Sequence, residues 1–292
     1  MAAVATATSF LLGGGGGGGG TSRSENIELS DAESLEDVEP DPENELQEIC
    51  TGLGMMREVV DEEHGGGIRE RFDRGDRDEC LYCVRALQRY LRQDGPSRRA
   101  FHCLGKWQVL SKKLLPLVRN YRDDEQLTFA ITKLLVLMTM PPEEFSEDRE
   151  GQNEVLVRCK EAFMARDGSF SDGRRRSVLH LFFRMITDPL ERYGKPENER
   201  RHDEDPAKDK MKIELVLTLF RNLLHVRNPT IKVGSGSGRQ NKLRHLHEDF
   251  VQLLDDELVI NLLLILAQGI DLKENQDWNL LLLELFYLFS AA

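Results

Sequence analysis

Beyond the N-terminal tail the apolar residues return every three or four positions almost everywhere, and nowhere does strand-like alternation coincide with β-branched enrichment. Residues 79–92 place Cys80, Val84, Leu87 and Leu91 at i, i+4, i+7 and i+11, and residues 98–110 put Phe101, Leu104 and Trp107 on one stripe. Residues 123–139 do the same with Leu127, Ile131, Leu134, Leu135 and Met138, stopped by Pro141-Pro142. Further helices are predicted at 152–166, 174–187 (stopped at Asp188-Pro189), 207–227, 239–254, 256–268 and 276–290. Ser111 offers a capping side chain, and Pro116 marks a helix start or kink. No strand is predicted.

Helices of this kind, each with one broad apolar face and short connections, predict an all-α fold. Their spacing suggests a right-handed α-solenoid of armadillo/HEAT-like repeats, and a compact bundle also fits because no repeat motif aligns. Three charged or glycine-rich stretches read as flexible loops, about 62–78, 191–210 and 228–241. Residues 1–45 read differently. Eight glycines, Gly13 to Gly20, lead into an acidic run, and residues 1–50 hold one basic and eleven acidic residues. The net charge of −12 therefore belongs to this segment, leaving about −2 for residues 51–292. Such a composition buries nothing and predicts a disordered tail.

The apolar runs 258–267 and 280–289 are shorter than the roughly twenty residues of a bilayer span, and Glu284 interrupts the second. "MAAVATATSFLL" lacks the basic start of a secretory signal. Five scattered cysteines make no disulfide framework and suggest a reducing compartment.

Little in the chain points to catalysis. Cys80-x-x-Cys83 has the spacing of a zinc or thiol-redox site, but no second ligand pair accompanies it and no strand precedes it. On the face of Val84 and Leu87 the two cysteines read as small core residues. His245-x-His247 places two imidazoles on different sides of a helix, and both are expected in solvent. Glycines 65–67 follow no predicted strand and carry no Lys-Ser/Thr, which argues against a phosphate loop. No cofactor and no metal are expected. Two basic clusters are the candidates for phosphate contact: Arg174, Arg175 and Arg176 in the first turn of a predicted helix, and Arg98 and Arg99 with Lys112 and Lys113. The segment from Trp278 to Phe289 is apolar on nearly every side, so Trp278, Leu281, Leu285, Phe286 and Phe289 are candidates for a partner interface.

Three stretches are specific when taken together: "ICTGLGMM" (49–56) leading into residues 80–141, "LVLTLFRNLLHVRNP" (215–229), and "NQDWNLLLLELFYLF" (275–289). Leu-x-Arg-x-Leu-Arg-x-Asp at 87–94, Ser-Lys-x-Leu-Leu-Pro-Leu at 111–117 and Leu-Phe-Arg-Asn-Leu-Leu at 219–224 carry most of the likeness. In this order they resemble the N-terminal region of the Timeless family, with a Gly-Leu-Gly also found in plant and algal members. The resemblance spans about residues 46–289, a Timeless-like helical domain over 46–292. It implies an α-solenoid nuclear scaffold of the replication fork protection complex, without enzymatic activity. It also implies a Tipin-like small partner, contact with the replicative helicase and weak, non-specific binding of duplex DNA. Fork pausing, fork stabilisation and S-phase checkpoint signalling would follow. The alternative reading is a generic armadillo/HEAT adaptor without a DNA role.

Overall fold

The computed structural model describes residues 42–61, 67–144, 146–167, 176–193, 205–229, 238–269 and 278–290. Helix α1 runs Pro42–Thr51, and strands β1 (Met55–Asp61) and β2 (Gly67–Asp73) follow. Then come α2 (Arg77–Gln93), α3 (Arg99–Lys106), a π-helical turn (Leu110–Leu114), α4 (Leu115–Asn120) and α5 (Glu125–Met138). Helix α6 (Arg149–Met164) precedes the short bridge β3 (Arg166–Asp167) with β4 (Arg176–Ser177), and α7 is Leu179–Tyr193. The chain continues as α8 (Pro206–His225), α9 (Gly238–Leu243), α10 (Leu246–Asp256), α11 (Val259–Gln268) and α12 (Asn279–Ser290). The fold is essentially helical, as the periodicity predicts.

Aspartates start four of these helices. The side chains of Asp76, Asp124, Asp148 and Asp205 accept backbone N–H groups in the first turns of α2, α5, α6 and α8, satisfying donors that have no partner within the helix. Helix α8 is the centre of the packing. It lies against α5, α7, α10 and α12, and Ile213, Val216, Leu217, Leu219, Phe220, Leu223 and Leu224 are all inaccessible to solvent. Each such side chain contributes about 1.5–3 kcal/mol by leaving water. On its other side α5 packs on α2, while α3 packs on α6 and α1 covers α2 and α3.

The antiparallel pair of β1 and β2 corrects the prediction that no strand forms and, at 67–73, that of a loop over 62–78, of which residues 62–66 lie outside the described residues. Its register sets Met55 opposite Asp73 and Asp61 opposite Gly67. Sequence periodicity missed it because its described side chains are charged or exposed apart from Phe72, which is buried in the core. Backbone contacts hold its base. Lys113 Nζ donates to the Gly54 carbonyl at 2.6 Å, and Asn120 Nδ2 donates to that of Phe72 at 3.2 Å. Gly54 has φ +107°, and a Cβ there would meet the Asp73 carbonyl oxygen at 2.2 Å, so glycine is required.

Other expectations shift. Helix α7 continues through Pro189 to Tyr193 rather than stopping at Asp188, with Pro189 buried. The 239–254 segment breaks at Arg244-His245 into α9 and α10. Ser111 caps nothing; its hydroxyl donates back to the Gln108 carbonyl inside the π-helical turn. Pro116 does lie in the first turn of α4. Residues 42–45, placed in the tail by composition, are helical, and the expected disorder of residues 1–41 lies outside the described residues. Of the loop at 191–210, residues 191–193 end α7 and 206–210 open α8; of that at 228–241, residues 238–241 belong to α9. No described helix is long and apolar enough to cross a membrane.

Candidate anion-binding groove

Helix α2 has two faces of opposite character. Its inner face buries Cys80, Leu81, Cys83, Val84, Ala86, Leu87 and Leu91, while Tyr82, Arg85, Arg89 and Arg92 stand exposed on the other. Gln88 fixes the rotation of the helix by donating from Nε2 to the Ala130 carbonyl of α5 at 2.6 Å. This packing brings Phe129 and Lys133 of α5 beside the arginines. The Arg89 guanidinium lies 5.7 Å from the Tyr82 ring centroid and Lys133 Nζ lies 4.4 Å from that of Phe129, so two of the cations rest on aromatic faces. Among the described residues, none of Arg85, Arg89, Arg92 and Lys133 has a carboxylate partner. Burial, and then repulsion from Arg92 and Arg85, hold the Lys133 pKa below its ordinary value.

At the N-terminal end of this row opens a cleft of about 910 Å³ that Arg85 and Phe129 help to line. Its other cations are already engaged. Arg74 and Arg77 both donate to the Asp124 carboxylate, at 2.9 Å and 2.7 Å, and Arg74 also stacks 4.3 Å above Tyr121. The bond from Arg77, above all, holds the Asp124 carboxyl below the usual carboxylate range. On the far rim Lys208 and Lys212 meet Glu125, and Asp209 receives Lys212 at 3.1 Å and Arg192 at 2.6 Å. The balanced pairs hold α2, α5, α7 and α8 in place, and the row Arg85–Arg89–Arg92 with Lys133 is left to attract an anion. The signal in the sequence was the i, i+4, i+7 spacing of those arginines; Lys133 and Phe129 become visible only when α5 packs on α2.

The predicted contact residues that the structure describes have different surroundings. Arg98 is half-buried in a left-handed conformation (φ 49°), its guanidinium 4.8 Å above the Phe101 ring, while Asp94 caps α3 through the N–H groups of Ala100 and Phe101. Lys113 is tied to the hairpin through Gly54. Both side chains make contacts within the fold. Arg99 and Lys112 are exposed. Arg174 and Arg175 lie outside the described residues, and Arg176 belongs to β4 rather than to the first turn of a helix, since α7 begins only at Leu179.

Polar groups elsewhere clasp helices together. Asn222 of α8, fully buried, donates from Nδ2 to the Val136 carbonyl at 3.2 Å and to Thr139 Oγ1 at 3.4 Å. Beside it Arg221 bonds the Asn222 side-chain oxygen and reaches Glu284 of α12 at 3.2 Å. Cys80 and Cys83 are free, buried thiols, with burial pushing the Cys80 pKa up to about 11. A raised pKa disfavours the thiolate that a nucleophile requires. His247 departs from expectation: it is buried, whereas His245 is exposed.

The family model for the Timeless protein matches residues 75–291. The chain belongs to the Timeless family. It is 29% identical to the protein timeless homolog of Mus musculus over 193 residues, 62% of this chain and 14% of that protein. With the mating-type switching protein swi1 of Schizosaccharomyces pombe the identity is 27% over 51% of this chain and 15% of that protein. With topoisomerase 1-associated factor 1 of Cryptococcus neoformans it is 23% over 83% and 22%. The chain thus spans less than a quarter of the length of these curated relatives.

Within this Timeless chain the motif residues have architectural work. Gln88 joins α2 to α5, Asp94 caps α3, Lys113 holds the hairpin, and Arg221 and Asn222 join α8 to α12 and α5. The partner-interface candidates differ in exposure. Trp278 and Leu285 are buried against the core, and Leu281, Phe286 and Phe289 pack partly on it. The exposed apolar side chains of α11 and α12 are instead Leu264, Ile265, Leu280, Leu283 and Tyr287.

Proposed function

We propose that this Timeless-family chain is a non-enzymatic scaffold lobe of a nuclear replication fork protection complex. In this reading its helices form a right-handed α-solenoid that assembles with a Tipin-like small partner and components of the replicative helicase. It supports replisome progression, fork pausing and stabilisation, and S-phase checkpoint signalling. Family membership over residues 75–291 is the observation that carries the reading. The names of two relatives, a mating-type switching protein and a topoisomerase 1-associated factor, agree with a role on nuclear DNA. A scaffold is further supported by the way motif side chains are used up in joining helices, leaving them unavailable for chemistry.

Duplex DNA is bound weakly and without sequence preference, because residues 51–292 are nearly neutral. The proposed contacts are Arg99 and Lys112 with Arg174, Arg175 and Arg176. The test is affinity purification of the tagged chain from S-phase nuclei. Helicase subunits and a small stable partner should co-purify, and the absence of both from a folded, nuclear chain overturns the reading. A second reading, an adaptor without a DNA role, draws on the exposed apolar side chains of α11 and α12. Duplex affinity separates the two: it should fall steeply with salt, and the slope should shrink by about 0.9 for each phosphate contact removed.

A further inference from the structure

The row along α2 and α5 that ends at this cleft, which we call the groove, carries four cations with no carboxylate partner among the described residues, and three features define what fits it. Arg85, Arg89 and Arg92 rise along one face of α2 over about 10 Å, at 1.5 Å per residue. That length matches carboxylates on successive turns of a helix or on alternate residues of an extended segment. The second feature is preorganisation. Tyr82 and Phe129 support Arg89 and Lys133 from one side, which orients the cations and removes part of their water. The third is width. Asp123 and Glu125 line the same cleft as Arg85 and Phe129 but are themselves paired, Asp123 with Arg122 at 3.9 Å and Glu125 with Lys208 and Lys212, so the unpaired cations form one narrow row, which a single narrow chain covers and a broad polyanion does not match.

We propose that this groove binds an acidic peptide segment of a partner protein, with its carboxylates along Arg85, Arg89, Arg92 and Lys133 and an apolar side chain against Phe129 in the cleft. The site uses none of the residues proposed to meet duplex DNA and does not depend on the fork reading. Charge complementarity selects the partner: paired carboxylates suit guanidinium forks, and among the described residues no carboxylate pairs with the row.

The probe is a fluorescein-labelled dodecapeptide of glutamates with one central phenylalanine, titrated into the full chain at low salt. It should bind with an affinity that falls as salt is raised. The R85Q/R89Q/R92Q variant should bind on the order of tenfold more weakly, as expected for three exposed ion pairs. The corresponding R85K/R89K/R92K variant, which keeps the charge but not the paired guanidinium bonds, should recover part of the loss, and R99Q/K112Q should bind like the parent. Because all three arginines are exposed, the variants should melt with the parent, which separates lost binding from lost fold. Undiminished peptide binding by the glutamine variant would overturn the proposal. So would failure of the peptide to bind while a short DNA duplex binds and loses affinity in that variant, since the row would then be a nucleic-acid surface.

Discussion

Lys160 Nζ lies 3.4 Å from Nδ1 of His247, a residue 87 positions later, with both side chains buried. The amine also donates to the Val226 carbonyl at 2.8 Å and sits 4.8 Å from the Phe250 ring centroid, joining α6 to α10 and to the end of α8. Desolvation, aided by Arg227, lowers the Lys160 pKa to about 7. Burial, followed by Lys160 itself, also lowers that of His247.

Stability should therefore rise with pH above neutrality. Between pH 7 and the unfolded lysine value of 10.5 the unfolded chain holds a proton that the folded chain has lost, giving a slope approaching about 1.4 kcal/mol per pH unit. From pH 9 the buried thiols of Cys50 and Cys159, pushed up to about 12, act oppositely, because the unfolded chain then loses protons that the folded chain keeps. Denaturant titrations at pH 7 and pH 8.5 should show the parent gaining stability and Lys160→Met gaining much less. Equal gains would mean that Lys160 is not the titrating group.

Asn222→Leu should destabilise the protein by about 1–3 kcal/mol, because the Val136 carbonyl loses its side-chain donor and Arg221 loses the oxygen that orients it toward Glu284. Chemical denaturation reads the loss. In a double-mutant cycle Asn222→Leu and Glu284→Gln should be non-additive, since both act through Arg221.

Helices α3 and α6 touch at Gly105, where an added Cβ would meet Val155 Cγ1 at 2.5 Å and Cγ2 at 2.7 Å. Gly105→Ala should cost about 1–3 kcal/mol by overpacking. Adding Val155→Ala should return part of that stability rather than compound the loss. Thermal melts of the two single variants and the double variant decide it.

Leu283 and Tyr287, on one face of α12, are 66% and 67% exposed, whereas Leu285 is fully buried. The chain should self-associate at tens of micromolar through this face, and Leu283→Glu with Tyr287→Glu should suppress it without lowering the melting temperature. Leu285→Glu should unfold the C-terminal helices. Sedimentation velocity provides the measurement: a monomeric parent at that concentration would show that these side chains make no contact between copies.

Periodicity alone determined that this chain is helical and which side of α2 and α5 faces inward, because side chains three and four apart share a face in any helix. Cys80, Val84 and Leu87 were legible as core for that reason. The hairpin was not, since the pairing of β1 with β2 is made by backbone bonds and, among its described side chains, Phe72 alone is buried, which leaves no alternating pattern to read. In α12 nearly every residue is apolar, so composition could not say which side is covered. Contact with α8 settled it, turning Leu285 in and Leu283 out. The most consequential placements were the least local. Lys160 became a buried amine because Val226 and His247 close over it from 66 and 87 residues away. Lys133 joined the arginine row only when α5 packed against α2. Charge and burial of this kind depend on what the rest of the chain brings to within a few ångströms, a relation that spacing along the sequence does not contain.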